Sequence, residues 1–333
     1  MNKPTIICLT PVRNEAWILD RFLKAASLWA NYIIIADQMS TDGSREIAKK
    51  FEKVILIDNE CKEFNEPERQ KLLINEARKI DGPRLLVTLD ADEIFSPELF
   101  ETDEWNNILA QKPGTIIKFQ WANILPGFKK YWLSDFLAFG FMDDGQDHSH
   151  NTKIHSVRIP IPENPTNIEA TGIKVLHLQY TNWKRMKSKH RYYQCLELST
   201  YPQKSPLDIF RIYHHMYALK NKKLKIPINW LKKYELRNIN LKHYEPEKQF
   251  WYDEEILKLL DKHSSSYFRK IAIWNINWHK KAREFKKTNS KSYNNPQSIL
   301  DRIIYRYLFL TQKWINKSLI NYTDRKIKRY FNY

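Results

Sequence analysis

Glycine is scarce in this chain, with seven glycines among 333 residues. The segment after the first predicted strand, TPVRNE (residues 10–15), contains none, and no glycine-rich loop ends in Gly-Lys. A P-loop and a Rossmann dinucleotide site both use glycines there, because the backbone must approach phosphate groups closely. The sequence supports neither of these folds. A bound nucleotide would therefore have to be held by side chains and by a metal.

Cysteines and long apolar runs are also few. Cys8, Cys61 and Cys195 show no paired or metal-ligand spacing, which predicts reduced thiols. No stretch of 18 apolar residues occurs, so a membrane-spanning helix is not expected. The first residues, MNKPTIICLTP, pass into a strand-like run without the features of a signal peptide. We expect a cytoplasmic protein, with peripheral contact at the inner face of the cytoplasmic membrane as an extension of that prediction.

Positive charge is concentrated in the last part of the chain. The net charge is +17; residues 201–333 hold 29 Lys and Arg against 11 Asp and Glu, whereas residues 1–200 have a net charge of −1. The punctuation YPQKSP at 201–206 separates the two regions. This predicts a catalytic or binding domain over 1–200 and a basic, aromatic-rich, mainly helical region over 201–333.

Strand-like and helical patterns alternate through the first 125 residues. Such alternation is typical of an α/β fold with a mostly parallel sheet flanked by helices. Right-handed crossovers place the loops that follow parallel strands on one edge of the sheet, where ligands of such folds bind. The predicted strands span 5–10, 32–37, 53–58, 84–90 and 114–121, and the predicted helices 15–30, 42–51, 67–80 and 97–111.

The segment RLLVTLDADEIFS (residues 84–96) delivers three acids to the end of a buried strand. Asp90, Asp92 and Glu93 follow the apolar run directly. Closely spaced carboxylates at this edge can bind a divalent cation that leaves coordination positions for phosphate oxygens. The alternative is that Asp92 or Glu93 caps the helix predicted to begin near Ser96.

Three segments, TPVRNE, ADQMSTDGS (residues 36–44) and LDADE (residues 89–93), resemble the nucleotide-sugar-binding half of the family 2 glycosyltransferases, which have the GT-A fold. The resemblance covers roughly residues 4–125 and extends more loosely to about 200. It implies an inverting, metal-dependent transfer of a sugar, of the hexosyltransferase type, from a nucleotide-sugar donor. In this family the LDADE acids correspond to the DxD-type motif.

The resemblance also implies roles for individual residues. The LDADE segment would contact the donor through Asp90 and Ala91, with Asp90 binding the ribose or coordinating through water. A basic residue on the helix before that strand faces the donor in many members, and Arg69 holds this place; a solvated surface arginine is the alternative. The loop often carries two successive acids where this chain has Asp37 and Gln38. The nucleoside pocket would be lined by Thr10, Pro11, Arg13, Glu15 and Asp37.

For the metal, Asp92 is the predicted ligand, and Mn²⁺ or Mg²⁺ suits carboxylate and phosphate oxygens. His177 lies in the alternating segment GIKVLHLQYTNW. Family relatives often supply a histidine ligand from this region, which makes His177 the second predicted ligand. A structural histidine in a strand is the alternative.

The general base has less support from the sequence. Inverting transfer requires a carboxylate or a histidine within hydrogen-bond reach of the acceptor hydroxyl. We predict Asp144 as the base, with Asp143 and Asp147 as the next candidates; a polar turn without a catalytic role is the alternative. His155 is followed by serine, where several related transferases have His-Glu, so that role is not transferred. Further histidines lie in the same segment at His148 and His150.

The predicted function is transfer of a sugar, from a UDP-sugar by preference, to a hydroxyl of a glycan or lipid-linked acceptor. Cell-surface polysaccharide or lipopolysaccharide biosynthesis is the expected context. Two alternatives remain open. The basic, aromatic C-terminal region would also suit a nucleic-acid-binding protein, although no nucleic-acid module is present and this is not favoured. A nucleotidyltransferase or a pseudoenzyme on a similar fold is the other alternative.

The end of the chain, PQSILDRIIYRYLFLTQKWINKSLINYTDRKIKRYF (residues 296–331), has apolar residues at largely helical spacing among Lys and Arg. A basic amphipathic helix with Trp and Tyr can lie in the headgroup region of an anionic membrane. Packing of the same apolar residues against the rest of the protein is the alternative. The pattern predicts a helix and leaves its partner open.

Overall fold

The structure of the protein is a computed structural model that describes residues 3–61, 64–148, 153–219, 223–287 and 293–333. His150, one of the histidines in the predicted base segment, lies outside these residues. The strands are β1 (Thr5–Val12), β2 (Tyr32–Asp37), β3 (Val54–Asp58), β4 (Arg84–Thr88), β5 (Glu93–Phe95), β6 (Thr115–Ile124), β7 (Lys130–Met142), β8 (Thr166–His177) and β9 (Leu224–Lys225).

Helices connect the strands and form most of the C-terminal region. Their bounds are α1 (Ala16–Ala26), α2 (Ser44–Ala48), α3 (Glu66–Ala77), α4 (Glu104–Leu109), α5 (Trp183–Thr200), α6 (Pro206–Tyr213), α7 (Ile228–Glu235), α8 (Trp251–His263), α9 (Trp278–Glu284), α10 (Ile299–Thr311) and α11 (Ser318–Phe331). None of these helices combines the length and the apolar character that a membrane span requires.

The strands form one sheet in the order β3-β2-β1-β4-β7-β6-β8-β5, with β9 paired to β7. The four strands from β3 to β4 are parallel, as the alternating pattern predicts. Beyond β4 the sheet is mixed, because β7 is antiparallel to β4 and separates it from β6. The α/β fold class, with a curled central sheet flanked by helices, is confirmed.

Alternate side chains of the parallel strands enter two different cores. Cys8 and Val87 belong to the cluster that contains α1, whereas Leu9 and Leu86 belong to the cluster that contains α3. Successive side chains of a strand point to opposite faces, so a strand that is covered on both faces has a continuous apolar sequence. This explains the apolar runs that precede the polar loops.

The predicted helix over 97–111 is broken in the structure. A 3₁₀ turn spans Pro97–Phe100, and α4 begins at Glu104. The Glu104 carboxylate accepts hydrogen bonds from the backbone N–H groups of Gly172 and Ile173, where the register of β8 against β6 shifts. This tertiary interaction holds the start of α4 and interrupts the continuous helix that the sequence pattern predicts.

The chain divides into two compact units that are interleaved in sequence. The first unit comprises residues to Thr181 together with Leu224–Glu247, and the second comprises Asn182–Lys223 and Lys248–Tyr333. The boundary predicted near residue 200 falls at the end of α5, which belongs to the second unit. Within that unit, α5 contributes Tyr192, Cys195 and Leu198 to a core shared with α8.

Candidate active site at the carboxyl edge of the parallel strands

The predicted nucleoside residues lie where β1 and β2 end. Thr10 is fully buried in β1, and Pro11 lines the wall of a cleft described below. The Glu15 backbone N–H donates to Ser44 Oγ at 2.9 Å, and the Glu15 carboxylate accepts from Trp17 Nε1 at 2.7 Å. Arg13, which lies between Pro11 and Glu15 along the chain, is half-buried. The structure thus gathers these residues at the predicted edge, and their contacts with a donor remain predictions.

Asp37, the last residue of β2, has one carboxylate oxygen that is ready for a ligand. Its side chain is buried, and its Oδ1 accepts from Arg45 Nη1 at 2.9 Å and from the Ser40 N–H at 3.0 Å. Its Oδ2 has no hydrogen-bond partner within the described residues. A buried acceptor without a partner is energetically unfavourable unless a ligand supplies the donor.

Asp90 and Glu93 are joined by an arginine that the sequence did not indicate. Arg158 donates from Nη2 to Asp90 Oδ2 at 2.9 Å and from Nη1 to Glu93 Oε2 at 2.5 Å. The guanidinium also lies over the ring of Trp121, 5.0 Å from its centroid. Although burial opposes the charged form, Asp90 and Glu93 raise the pKa of Arg158, so the guanidinium stays protonated.

Glu93 is fully buried at the centre of this network. Its Oε1 accepts from Trp121 Nε1 at 2.8 Å, and its Oε2 accepts from both Arg158 and the Asp90 N–H. Burial raises the pKa of Glu93 to about 8, against the opposing charge of Arg158. Because both oxygens already have partners, Glu93 is better suited to orient Arg158 and Trp121 than to bind a ligand.

Asp92 and His177 meet through the pairing of two strands. In the antiparallel ladder of β5 and β8, Glu93 lies opposite His177, which brings Asp92 Oδ1 to 3.9 Å from His177 Nε2. Both side chains are buried. Asp92, Glu93 and His177 each offer a ligand atom, and these atoms lie within 4.8 Å of one another. Among the described residues this is the one cluster of three acidic, histidine or cysteine side chains close enough to share a metal ion.

The ring of His177 is oriented by Asn123. Its Nδ1 lies 2.8 Å from Asn123 Oδ1, and its Nε2 is the ring nitrogen on the side of Asp92. The imidazole also stacks on Trp121, with 4.8 Å between ring centroids. An imidazole and a carboxylate at this separation fit a divalent ion after a small adjustment of either side chain.

A cleft of 380 Å³ is lined by Asp90, Trp121 and Arg158, whereas Asp92 and His177 are not among its lining residues. Its walls carry Arg69 and Arg158, two cations that suit a diphosphate. Thr88, at the end of β4, also lines the cleft, and its buried hydroxyl has no partner within the described residues. Of the other predicted donor-binding residues, Pro11 and Asp90 line the cleft directly.

The three predicted base residues are not in this cleft. The Asp143 N–H donates to the Arg84 carbonyl at the first residue of β4, because Leu85 pairs with Met142 in antiparallel register. Asp90 follows the opposite end of the same strand, roughly 15 Å or more away at the rise of a β-strand. The structure therefore places Asp144, Asp143 and Asp147 away from the Asp90–Asp92 loop, and their role as the base stays a prediction.

These three acids have other partners at that edge. Asp143 is buried and accepts from Arg84 Nε at 2.9 Å and from Arg78 Nη2 at 3.0 Å. Burial alone would raise the pKa of Asp143, but the hydrogen bonds from both arginines lower it below its ordinary value. Asp144 contacts His148 Nε2 at 3.0 Å, and Asp147 contacts Arg78. The alternative of a polar turn therefore fits this segment.

Another residue from the predicted segment does reach the cleft. His155 lines it, in a left-handed backbone conformation with φ of 60°. The neighbouring Ser156 donates from its N–H to Glu66 Oε2 at 2.7 Å, which fixes the segment against the start of α3. A left-handed φ is unfavourable for a histidine and is retained where the surrounding contacts enforce it.

Three residues of the site were not expected from the sequence. Arg158 and Trp121 reach it through tertiary contacts, and Arg158 lies 65 residues from Glu93 along the chain. Thr88 lies within the RLLVTLDADEIFS segment, where the acids give the stronger signal. A possible signal was the single basic residue in the alternating HSVRIP segment, two residues before the proline.

The comparison with protein families agrees with this geometry. Residues 7–106 match the model of the family described as "Glycosyl transferase family 2". The matched segment contains all three motifs and ends before β6. The match confirms the predicted resemblance and supports a glycosyltransferase-like enzyme with the nucleotide-sugar-binding type of α/β fold. No curated protein sequence matches the chain.

Solved structures give weaker likenesses. A protein described as a mycobacterial protein is 14% identical over 37% of this chain and 42% of its own, with a TM-score of 0.29. A 4-diphosphocytidyl-2C-methyl-D-erythritol synthase from Anaerococcus prevotii is 12% identical over 54% of this chain and 92% of its own, with a TM-score of 0.32. Scores this low carry no argument about this chain.

Proposed function

We propose that the protein is an inverting glycosyltransferase that moves a sugar from a nucleoside diphosphate donor, by preference a UDP-sugar, to a hydroxyl of an acceptor. One observation supports this most strongly. Asp92 and His177 lie 3.9 Å apart, and Trp121 stacks on His177. Trp121 also lines a cleft whose wall holds Arg69 and Arg158. Carboxylate and imidazole ligands next to two arginines suit a divalent ion and a diphosphate together.

In this proposal the nucleoside lies against the ends of β1 and β2. The free Oδ2 of Asp37 accepts a hydrogen bond from the base or the ribose, as the predicted role of Asp37 requires. The Thr88 hydroxyl supplies a second contact at the cleft wall, and Asp90 binds the ribose or a metal-bound water. Each of these groups gains a partner that the protein alone does not provide.

Asp92 and His177 would hold Mn²⁺ or Mg²⁺. When bound, such an ion neutralises charge that develops on the leaving diphosphate. Glu93 keeps its role within the protein, orienting Arg158 and the Trp121 indole that stacks on His177. Arg69 and Arg158 then contact the non-bridging oxygens of the diphosphate.

The base is reassigned to His155. A histidine accepts a proton from an acceptor hydroxyl as well as a carboxylate does, provided that it is within hydrogen-bond reach. His155 lines the cleft, whereas the acids at 143, 144 and 147 do not. The acceptor in this proposal is a glycan or a lipid-linked saccharide of cell-surface polysaccharide or lipopolysaccharide biosynthesis, reached from the cytoplasmic side of the membrane.

The test has two parts. A thermal-shift screen of nucleotide sugars, with and without Mn²⁺, should find a donor that raises the melting temperature more when the metal is present, because ligands of the folded state stabilise it. Incubation of that donor with acceptors, or with water, should release nucleoside diphosphate. Release of pyrophosphate from a nucleoside triphosphate would instead support the nucleotidyltransferase alternative. Full transfer activity in excess EDTA would exclude the metal role.

A further inference from the structure

The end of the chain exposes an unusual number of large apolar side chains. Among the described residues, ten of the 22 large apolar side chains that are exposed lie within residues 299–331. Scattered apolar residues are normal on protein surfaces, but a concentration of this kind marks an interaction site. The ten are Ile299, Leu300, Ile303, Phe309, Leu310, Trp314, Leu319, Tyr322, Tyr330 and Phe331.

In α10 the three most exposed of these residues form a stripe along one side of the helix. Ile299, Ile303 and Leu310 follow helical spacing and are 79%, 60% and 57% exposed. Ile304 and Leu308 lie on the other side and pack into a buried cluster. Packing therefore accounts for one side of α10 and leaves the apolar stripe unexplained.

The same division occurs in α11. Leu319, Tyr322 and Tyr330 recur at helical spacing and are exposed. Ile327 packs into the cluster that holds Ile304 and Leu308, so the exposed stripes of both helices lie away from this shared cluster. We give the name basic apolar face to these stripes together with the exposed cations of the same segment (Arg302, Arg306, Lys313, Lys317, Arg325 and Arg329).

The charge of this face has one sign. The acids of residues 293–333 are Asp301 and Asp324, and both are buried. Asp301 accepts from Ser298 and Tyr333, while Asp324 pairs with Arg211 at 2.9 Å. The acids are therefore used inside the unit, and the exposed charges of the segment are all positive.

Cations and aromatic rings are adjacent on this face. Lys313 Nζ lies 4.2 Å from the Trp314 ring centroid, and Lys326 Nζ lies 5.3 and 5.4 Å from those of Tyr322 and Tyr330. Amphipathic rings and long basic side chains are the groups that occupy the headgroup region of a bilayer, with the rings at its boundary and the cations on lipid phosphates.

We propose that the basic apolar face docks on an anionic lipid bilayer. A second copy of the chain is a poor occupant, because it would bring six exposed cations against six others. Nucleic acid would satisfy the cations but would leave exposed aliphatic side chains such as Ile299 and Leu319 without a role. An anionic bilayer satisfies both groups. This inference deepens the proposed function, since docking would bring the enzyme to a lipid-linked acceptor, but its test does not depend on catalysis.

The test is cosedimentation of the full chain with vesicles of phosphatidylglycerol or of phosphatidylcholine. The wild-type protein should bind the anionic vesicles and not the neutral ones, with binding weakened by salt. The variant Arg306→Glu/Lys313→Glu/Arg329→Glu should lose affinity by on the order of a hundredfold. The variant Ile303→Ser/Leu310→Ser/Leu319→Ser should also lose binding, with its charge unchanged.

A matched control reverses three exposed lysines of the first unit, Lys49→Glu/Lys50→Glu/Lys112→Glu. It changes the net charge by the same amount and should bind as the wild type does. Circular dichroism of each variant verifies folding. Absence of wild-type binding to the anionic vesicles, or an equal loss in the control, would overturn the proposal. A lipid-free dimer that the serine variant dissociates would assign the face to a second copy instead.

Discussion

Two acidic segments of the first unit are alike in sequence and differ in their surroundings. One is DADE at residues 90–93, and the other is DDGQD at residues 143–147. Each follows an apolar strand and contains three acids. In the second segment Asp143 is held by Arg78 and Arg84, and Asp144 by His148. In the first, Asp92 Oδ1 lies 3.9 Å from His177 Nε2.

The difference shows that the number of acids in a segment does not decide whether it binds a ligand. What decides it is whether the fold has already supplied counter-charges. Asp143 has two arginines, so its charge stabilises the protein and is not available for chemistry. At the other segment a single arginine, Arg158, serves both Asp90 and Glu93, and Asp92 lies 3.9 Å from His177 Nε2. The predictions below test this division.

The largest effect is expected at Asp92. Asp92→Asn should reduce sugar transfer on the order of a thousandfold, because a negative ligand is lost where diphosphate charge is neutralised. Stabilisation by Mn²⁺ with the donor should disappear in the same variant. The matched control is Asp144→Asn, the same replacement in the other acidic segment, which should keep transfer within about threefold of wild type. Comparable losses in the two variants would contradict the division.

The next largest effect is expected at His155. His155→Gln should lower the rate of transfer roughly a hundredfold while leaving donor affinity nearly unchanged, because a general base contributes about this factor and does not hold the donor. Single-turnover transfer and calorimetric titration with UDP separate the two quantities. The opposite result would be slow transfer with unchanged donor affinity in Asp143→Asn or Asp144→Asn, and normal transfer in His155→Gln. It would restore the acids as candidates for the base.

Asp143→Asn should act on stability. Removing the charge takes away the buried counter-ion that Arg84 and Arg78 share and leaves Arg78 with the exposed Asp147, at a cost of about 2 kcal/mol in the free energy of unfolding at pH 7. The lowered pKa of Asp143 means that its stabilising effect is complete above about pH 4 and is lost as the pH falls through the folded-state pKa. Urea unfolding at pH 7 and pH 3 should show the difference between wild type and variant shrinking at the lower pH.

The smallest effect is expected at Arg158, where the affinities for Mn²⁺ and for UDP should change in opposite directions. Arg158→Gln should raise the affinity for Mn²⁺ alone several-fold, because a cation beside the acids is removed, and lower the affinity for UDP about tenfold. Electron paramagnetic resonance of free Mn²⁺ and calorimetry with UDP measure the two. Arg69→Gln is the control: it should weaken UDP binding without improving Mn²⁺ binding. A loss of both affinities in Arg158→Gln would indicate a structural role only.

The parallel half of the fold could be predicted from the sequence because its strands are buried on both faces and its loops follow in order. The apolar runs that end at Asp37 and Thr88 mark where β2 and β4 reach the carboxyl edge of the sheet. The resemblance to a family then placed Asp92 and His177 together, and the β5–β8 register brings them to 3.9 Å. Their roles as metal ligands remain predictions.

The position of the predicted base segment depends on long-range pairing. Asp144 is favoured as the base because it is a carboxylate ahead of Gly145 in a predicted turn, but its segment follows β7, the antiparallel neighbour of β4, and lies at the opposite edge from the Asp90–Asp92 loop. Later in the chain, Arg158 does lie at the site. Its neighbour Val157 is fixed against α3, where Gln70 Nε2 donates to the Val157 carbonyl. Strand direction in a mixed sheet depends on long-range pairing that local patterns do not encode.

Residues Leu224–Glu247 belong to the first unit although they follow part of the second unit in sequence. This order affects how the chain can fold during synthesis. Tyr234, fully buried, donates from its hydroxyl to the Phe95 carbonyl at 2.6 Å, and Trp230 Nε1 donates to Glu98 Oε1 at 2.9 Å. The segment that carries Asp92 therefore emerges from the ribosome well before the aromatic residues that cover its neighbours. A nascent chain that stops at residue 200 has the motifs of a transferase and lacks part of the core that supports them.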